Sequence, residues 1–371
     1  MGIYLNPGNE VFRQIVSADL YIDPGCALPS LTGIMLNLRK LPHIDWDAEW
    51  WPKNTLDAMT LGDTTLMACN YASYQNAYKT CVVFANMDLI DQYGLEHPHD
   101  MLKENRWTLD EFISMTQDTY DDINGDGMME QNVDRWGFAN HTYFYCFFEG
   151  WNIEIFDKTE DGNSLYLNIG ENIANLMEKL YGFFKESPGV WHSSNHTPLM
   201  RSPEMFVNKN AIFVYYFVGL VEDLRGTDIH YAVMPWPKLD ATVEEYASGC
   251  HGNPFCAPRA YPVKEYDMLG YVMEAMAIAG YEKIYPAYVE TALKYRYSPT
   301  EDDSKVIDMI FKNRRYGFSW MYNNYLFPRM MDVLFADGVN SFNYASYVAS
   351  NKRRNEAWIE KLEKQFLNLG E

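Results

Sequence analysis

The chain has 371 residues, 47% of them hydrophobic, which is more apolar material than a single core usually organises. Its 30 basic residues face 51 acidic ones, a formal charge of −21. Such a chain repels phosphate backbones and anionic lipid, which argues against nucleic-acid binding and against direct attachment to a membrane surface.

Six cysteines occur with no CxxC spacing and read as free, small core residues. No apolar run reaches the length of a membrane span. The opening MGIYLNPGNEVF has neither a basic n-region nor an apolar h-region, so no signal peptide is read there. Aromatic residues make up 16%, including 28 Tyr and 10 Trp. Most of these rings are expected in the core.

In chain order, ADLYI (18–22) reads as a strand ending in a DPG turn. TLMACNY (65–71) and TCVVFANM (80–87) read as two more strands, with Tyr71, Tyr74 and Tyr78 at or between them. LIDQYGL reads as a short helix and residues 107–122 as a longer one. There Thr108 is the expected N-cap, and Glu111 completes a capping-box pattern. WGFAN and an aromatic stretch (143–151) follow, then a hairpin in FDKTEDGNSLYL and a helix at 171–185. Residues 210–225 read as a strand running into a helix, and 230–240 as an extended segment. Helices are expected at 264–283, 284–297, 301–313 and 324–336, with a last one near the C-terminus. Alternating strands and helices predict an α/β fold.

DINGDGMMEQNVD (122–134) has the spacing of a calcium loop. Asp122, Asn124 and Asp126 fill positions 1, 3 and 5, with Gly127 at 6, the Met128 carbonyl at 7 and Glu130 at 9. Position 12 is Val133, and the closing acid, Asp134, comes one residue late. Two readings stay open: a structural Ca²⁺ site closed by a bulge that brings in Asp134, or a polar turn with solvated acids. The loop contains no His and no second metal partner, so a hydrolytic metal is not expected.

Several segments together resemble the extracellular solute-binding proteins of carbohydrate ABC transporters (family 1-type, periplasmic-binding-protein-like II). In the first half these are ADLYIDPG, GIMLNL and VVFANMDLIDQYGLEHPHDMLKENRWTLDEF. In the second half they are AIFVYYFVGLVEDLR, YAVMPWPKLD, FCAPRAYP and the helices of 271–311, in the family's order. The resemblance implies a two-lobed fold with discontinuous lobes around a central cleft. Lobe I would comprise 1–75 and 251–318, and lobe II 76–250 and 319–371. The crossing segments are expected near Tyr71–Thr80, Gly249–Pro258 and Tyr316–Tyr325. Family members open with a signal sequence and a strand–helix–strand unit. This chain begins just before ADLYI, so the resemblance implies that both are missing here.

A sugar offers hydroxyls at its edges and C–H groups on its faces, so its site needs planar hydrogen-bonding groups beside aromatic platforms. By the resemblance, Asp23 lies in a cleft-facing loop. The bland reading of Asp23 is a turn residue. Tyr71 and Tyr74 fall at a crossing, and His251 and Asn253 in the crossing SGCHGNP. Trp151 is the expected stacking ring, with Phe217 and Trp236 behind it, and its truncation is expected to leave the fold intact.

The function implied is capture of a mono- or oligosaccharide for delivery to an ABC permease, outside the cytoplasm, by a monomeric, non-enzymatic lipoprotein or periplasmic protein. The alternatives are a glycan hydrolase with paired carboxylates and a scaffold that has kept its lobes but lost its ligand. No G-x-S-x-G, H-E-x-x-H or phosphate-binding glycine loop supports an enzyme.

Overall fold

The computed structural model describes residues 16–17, 33–140, 146–192, 201–251, 254–296, 300–322 and 343–370. The expected strand at 18–22, Asp23, Asn253 and the expected helix at 324–336 lie outside the described residues.

A six-stranded sheet organises the larger core. Its strands are β1 (Cys81–Asn86), β2 (Tyr120–Asp121), β3 (Arg135–Asn140), β4 (Val190–His192), β5 (Ala211–Phe217) and β6 (Tyr231–Met234). CVVFAN is buried at every position and AIFVYYF at all but one. Such unbroken apolar runs mark strands covered on both faces. The order is β6-β1-β5-β3, with β1 antiparallel to both neighbours and β5 parallel to β3. The far edge of β3 is shared. β2 pairs at Arg135–Trp136, and β4 pairs at Phe138–Asn140.

Around this sheet the local signals set the elements. Asn86 caps the Met87–Tyr93 helix by accepting the Leu89 N–H, and Gly94 ends it in the left-handed region. After a helix at Pro98–Lys103, Thr108 caps the following one by accepting the Glu111 N–H at 3.4 Å. That helix, Leu109–Thr116, stops six residues short of the expected 122. The residues just past its end are taken up by glycines beside or on the sheet: Gly189 N–H donates to the Gln117 carbonyl and Gly137 N–H to that of Thr119, both at 2.6 Å. Tyr120–Asp121 then leaves as β2. The expected hairpin forms from Phe156–Lys158 and Leu165–Leu167. The expected strand at 65–71 is reduced to Thr64–Thr65, paired with Thr60–Leu61, and a single bridge from Ala68 to Phe255.

A second, smaller core gathers Leu36, Leu38, Trp51, Leu56, Phe255 and Leu269, among others. The Glu274 carboxylate ties it together, accepting the indole N–H of Trp50 and of Trp51 at 2.8 Å each. Helix Tyr266–Ala279 continues without a break into wide π-helical turns, Gly280–Ile284 and Ala287–Arg296.

The segments expected to cross between the lobes lie side by side. Thr80 bridges Cys250, and His251 N–H donates to the Lys79 carbonyl at 3.0 Å. Ser248–Gly249 pairs in parallel with Arg314–Arg315, so the third segment arrives slightly ahead of the expected Tyr316. The fit there is close. A Cβ on Gly249 would sit 2.2 Å from the Cys146 carbonyl oxygen and 2.8 Å from a Glu149 carboxylate oxygen. Gly249→Ala is therefore expected to destabilise the fold by about 1–3 kcal/mol or more, through overpacking. Denaturant unfolding checks this, and a change below about 0.5 kcal/mol would show that the contact yields freely.

Candidate functional site

Two acids anchor the junction of the crossing segments. The buried Glu149 carboxylate, on the short helix Cys146–Gly150, accepts Cys250 N–H at 3.0 Å through one oxygen. Its other oxygen accepts Gly317 N–H at 2.9 Å. One side chain thereby joins two of the segments expected to cross. Glu154, half-buried, accepts Phe318 N–H at 2.7 Å, Ser319 N–H at 2.8 Å and the Ser319 hydroxyl. Burial pushes the Glu149 carboxyl up to about 8, against the pull of its N–H donors. Burial likewise pushes Glu154 up to about 7.

The aromatic candidates divide. Trp151 is 9% exposed, and its indole N–H donates to the Pro237 carbonyl at 2.8 Å. Trp236 is 1% exposed and stacks on Phe147 with centroids 3.7 Å apart and planes 5° from parallel. Trp151 and Trp236 lie 5.9 Å apart in the same ring cluster. Phe217 is also buried, 5.7 Å from the His251 ring. The expectation that Trp151 offers a stacking face, with Phe217 and Trp236 behind it, is corrected: all three are buried, Trp151 and Trp236 packed against Phe147 and Phe217 ending a strand of the central sheet. His251 is buried beside Lys79, and burial, with that charge, pushes its imidazole down to about 3, keeping it neutral.

Tyr71 and Tyr74 behave otherwise. Tyr71 is half-buried and Tyr74 is 46% exposed. Tyr71 packs edge-on against Tyr285 at 4.7 Å, and Tyr74 lies 5.8 Å from Tyr288. Tyr288 sits in the second π-helical stretch and Tyr285 between the two, a distortion common at functional sites. A Cβ on Gly280 would lie 2.4 Å from the Ala72 nitrogen, so only glycine lets this helix approach the first crossing so closely. With Asn70, Asn76 and Arg314 these tyrosines line a small pocket with room for about one water. Sequence reading placed Tyr71 and Tyr74 at a crossing but missed Arg314, Asn70 and the two glutamates. The Arg-Arg pair directly before the third expected crossing was the available signal.

The 122–134 loop takes the turns its glycines allow, Gly125 and Gly127 having φ of 71° and 75°. Asp122 accepts the N–H of Gly125 at 2.7 Å and of Gly127 at 2.8 Å. Asp126 accepts the Met128 N–H at 2.8 Å, and the Asn124 amide donates to Asp126 and Glu130 at 3.0 Å each. Asp134 turns inward. Its carboxylate takes the Tyr120 hydroxyl at 2.6 Å, Glu130 N–H at 2.6 Å and Ile123 N–H at 3.3 Å. Burial pushes that carboxyl up, but these donors outweigh it and hold it below the usual range. Among the described residues no three His, Cys, Asp or Glu side chains gather as a metal-ligand set. As folded, Asp134 does not fit the part of closing ligand, because its oxygens satisfy the loop's own donors.

Two outcomes are expected. Trp151→Ala should destabilise the fold by about 3–5 kcal/mol, as large buried aromatics do, whereas Tyr74→Ala should stay within about 0.5 kcal/mol. Equal, small effects in chemical denaturation would return Trp151 to the surface. Glu149 and Glu154 both titrate higher folded than unfolded, so the native state binds more protons. Their contribution to stability is full below about 4.5 and is lost as pH rises through about 7 and 8. Stability should therefore fall between pH 5 and 9, by on the order of 2–4 kcal/mol. Glu149→Gln should flatten that decline, and an unchanged pH slope would contradict it.

No protein-family description and no curated protein sequence matches the chain. Solved structures do. An ABC substrate-binding protein from Listeria monocytogenes in complex with cycloalternan aligns over 94% of this chain and 81% of its own, with a TM-score of 0.53 at 14% identity. UgpB from Mycobacterium tuberculosis in complex with glycerophosphocholine aligns over 90% and 80%, with a TM-score of 0.56 at 12% identity. The maltose/maltodextrin-binding domain of MalE from Bdellovibrio bacteriovorus, bound to maltotriose, aligns over 92% and 81%, with a TM-score of 0.52 at 11% identity. At these identities the likeness is one of fold: the chain has the two-lobed α/β fold, periplasmic-binding-protein-like, of ABC-transporter solute-binding proteins.

Proposed function

We propose that the chain binds a carbohydrate between its lobes and delivers it to an ABC importer. The observation that carries this reading is the fold shared with proteins solved with cycloalternan and with maltotriose. Supporting it are the three adjacent crossing segments, a geometry suited to hinge closure, and the tyrosine- and asparagine-lined pocket beside them. The lobe boundaries at 75, 250 and 318 belong to this proposal, as do an extracytoplasmic location, a permease partner and a role without catalysis. Among the described residues no helix is long and apolar enough to cross a membrane.

Calcium in the 122–134 loop is a separate proposal. It requires Asp134 to leave its three donors. Occupancy at a hundredfold excess over Kd would add about 2.7 kcal/mol. Chelation should then lower the melting temperature, and Asp126→Ala should reproduce that effect. Two unchanged melting curves would leave only a hydrogen-bonded turn.

For the main reading, calorimetry against a panel of oligosaccharides, with the products analysed for cleavage, is the test. Expected are saturable binding and intact sugars. Cleavage would favour a hydrolase, and neither binding nor cleavage would favour a scaffold. Since Tyr74 is the exposed ring at the pocket, Tyr74→Ala should weaken binding by about 1 kcal/mol or more without loss of stability.

A further inference from the structure

One helical rod, 266–296, runs from the smaller core into the larger. Its first part, Tyr266–Ala279, belongs to the smaller core through Leu269, Met273 and Ala277. Gly270 lies against Pro42 so closely that a Cβ would come within 1.9 Å of its carbonyl oxygen. Glu274 accepts both indole N–H groups of Trp50 and Trp51. The Tyr281 hydroxyl donates to Glu49, beside Trp50, at 2.7 Å. As far as Tyr281, the smaller body holds the rod.

The later part has other partners. Val289 and Leu293 are buried in the larger core. Lys294 pairs with Asp308 at 2.8 Å. Asp308 lies on the helix Glu301–Lys312, which packs against β6 and gives Val306, Ile307 and Ile310 to the larger core. The helix Pro98–Lys103 holds it as well: His99 Nε2 lies 3.1 Å from Asp303, and Lys103 pairs with Asp302 at 2.8 Å.

Pro286 sits where the partners change. It has no N–H, and its ring crowds the preceding turn, so a regular α-helix does not run through it undisturbed. Tyr285 N–H reaches back to the Gly280 carbonyl, and wide turns resume at Ala287. Long helices bend at prolines and at π-turns, and here the two coincide.

We propose that 280–296 is a further crossing between the bodies, with Pro286 as its joint, and that residues 287–312 move with the larger body. The proposal rests on the two-lobed hinge reading and moves the boundary set at 318 back to Pro286. Closure of the bodies then bends this helix, so the stiffness of its joint sets how far they swing.

Pulsed electron paramagnetic resonance on the full chain tests this, with spin labels on a ketone side chain introduced at exposed sites so that the native thiols stay unlabelled. Met268 reports the smaller body, Asn175 the larger, and Lys305 the helix Glu301–Lys312. The Lys305–Asn175 distance distribution should be narrow. That of Lys305–Met268 should be roughly twice as broad and match Met268–Asn175. A Lys305–Asn175 distribution as broad as Met268–Asn175 overturns the proposal and leaves the hinge reading standing. Narrow distributions for every pair overturn both. Pro286→Ala restores the missing N–H and lets α-helix run through, so it should narrow the Lys305–Met268 distribution by about half and leave Lys305–Asn175 unchanged. If that variant melts no lower than the parent and keeps the parental widths, Pro286 is not the joint and the proposal falls.

Discussion

The junction of this molecule depends on one buried carboxylate. Glu149 accepts a backbone N–H from each of two crossing segments, at Cys250 and at Gly317. One residue of the larger core thereby holds both segments against the Cys146–Gly150 helix. The arrangement is close enough to require glycine at Gly249, where any Cβ would meet the Cys146 carbonyl. Desolvation opposes the charge that the N–H donors favour, and desolvation prevails, leaving the carboxyl well above its usual range. Glu154 repeats the device one step along, on Phe318 and Ser319.

The rest of the site follows from this registration. Pairing Ser248–Gly249 with Arg314–Arg315 places Arg314 within reach of the Asn76 carbonyl on the first crossing. The π-helical run then brings Tyr285 against Tyr71, and Gly280 lets the backbones approach. The polar pocket is thus assembled from all the layers that meet at the crossings. The richest aromatic cluster, around Phe147, Trp151 and Trp236, serves packing instead. Aromatic content alone does not identify a sugar site.

Much of the fold was legible in the sequence. The unbroken apolar runs CVVFAN and AIFVYYF are strands, and the turn residues of FDKTEDGNSLYL make the hairpin. Thr300, with Asp303 three residues on, opens its helix through reciprocal capping bonds. Misreadings came where tertiary contacts override local pattern. The helix from Leu109 ends at Thr116, and the Gln117 and Thr119 carbonyls beyond it accept from Gly189 and Gly137 at the sheet instead of continuing it, which no local window reveals. The side of the chain on which Trp151 sits was equally hidden. A ring after Glu-Gly can face a cleft or the core, and here the Pro237 carbonyl holds it inside. Tyr71 and Tyr74 were singled out in the sequence and do meet at one small pocket, whereas Arg314, which joins them there, was not.

The central claim is that two bodies close on a sugar by bending where the three segments cross. Small-angle scattering on the full chain, with and without a sugar that calorimetry shows to bind, measures this directly. The radius of gyration should fall on saturation, with the sharper fall for the tighter ligand. Tight binding with an unchanged radius of gyration would contradict the account.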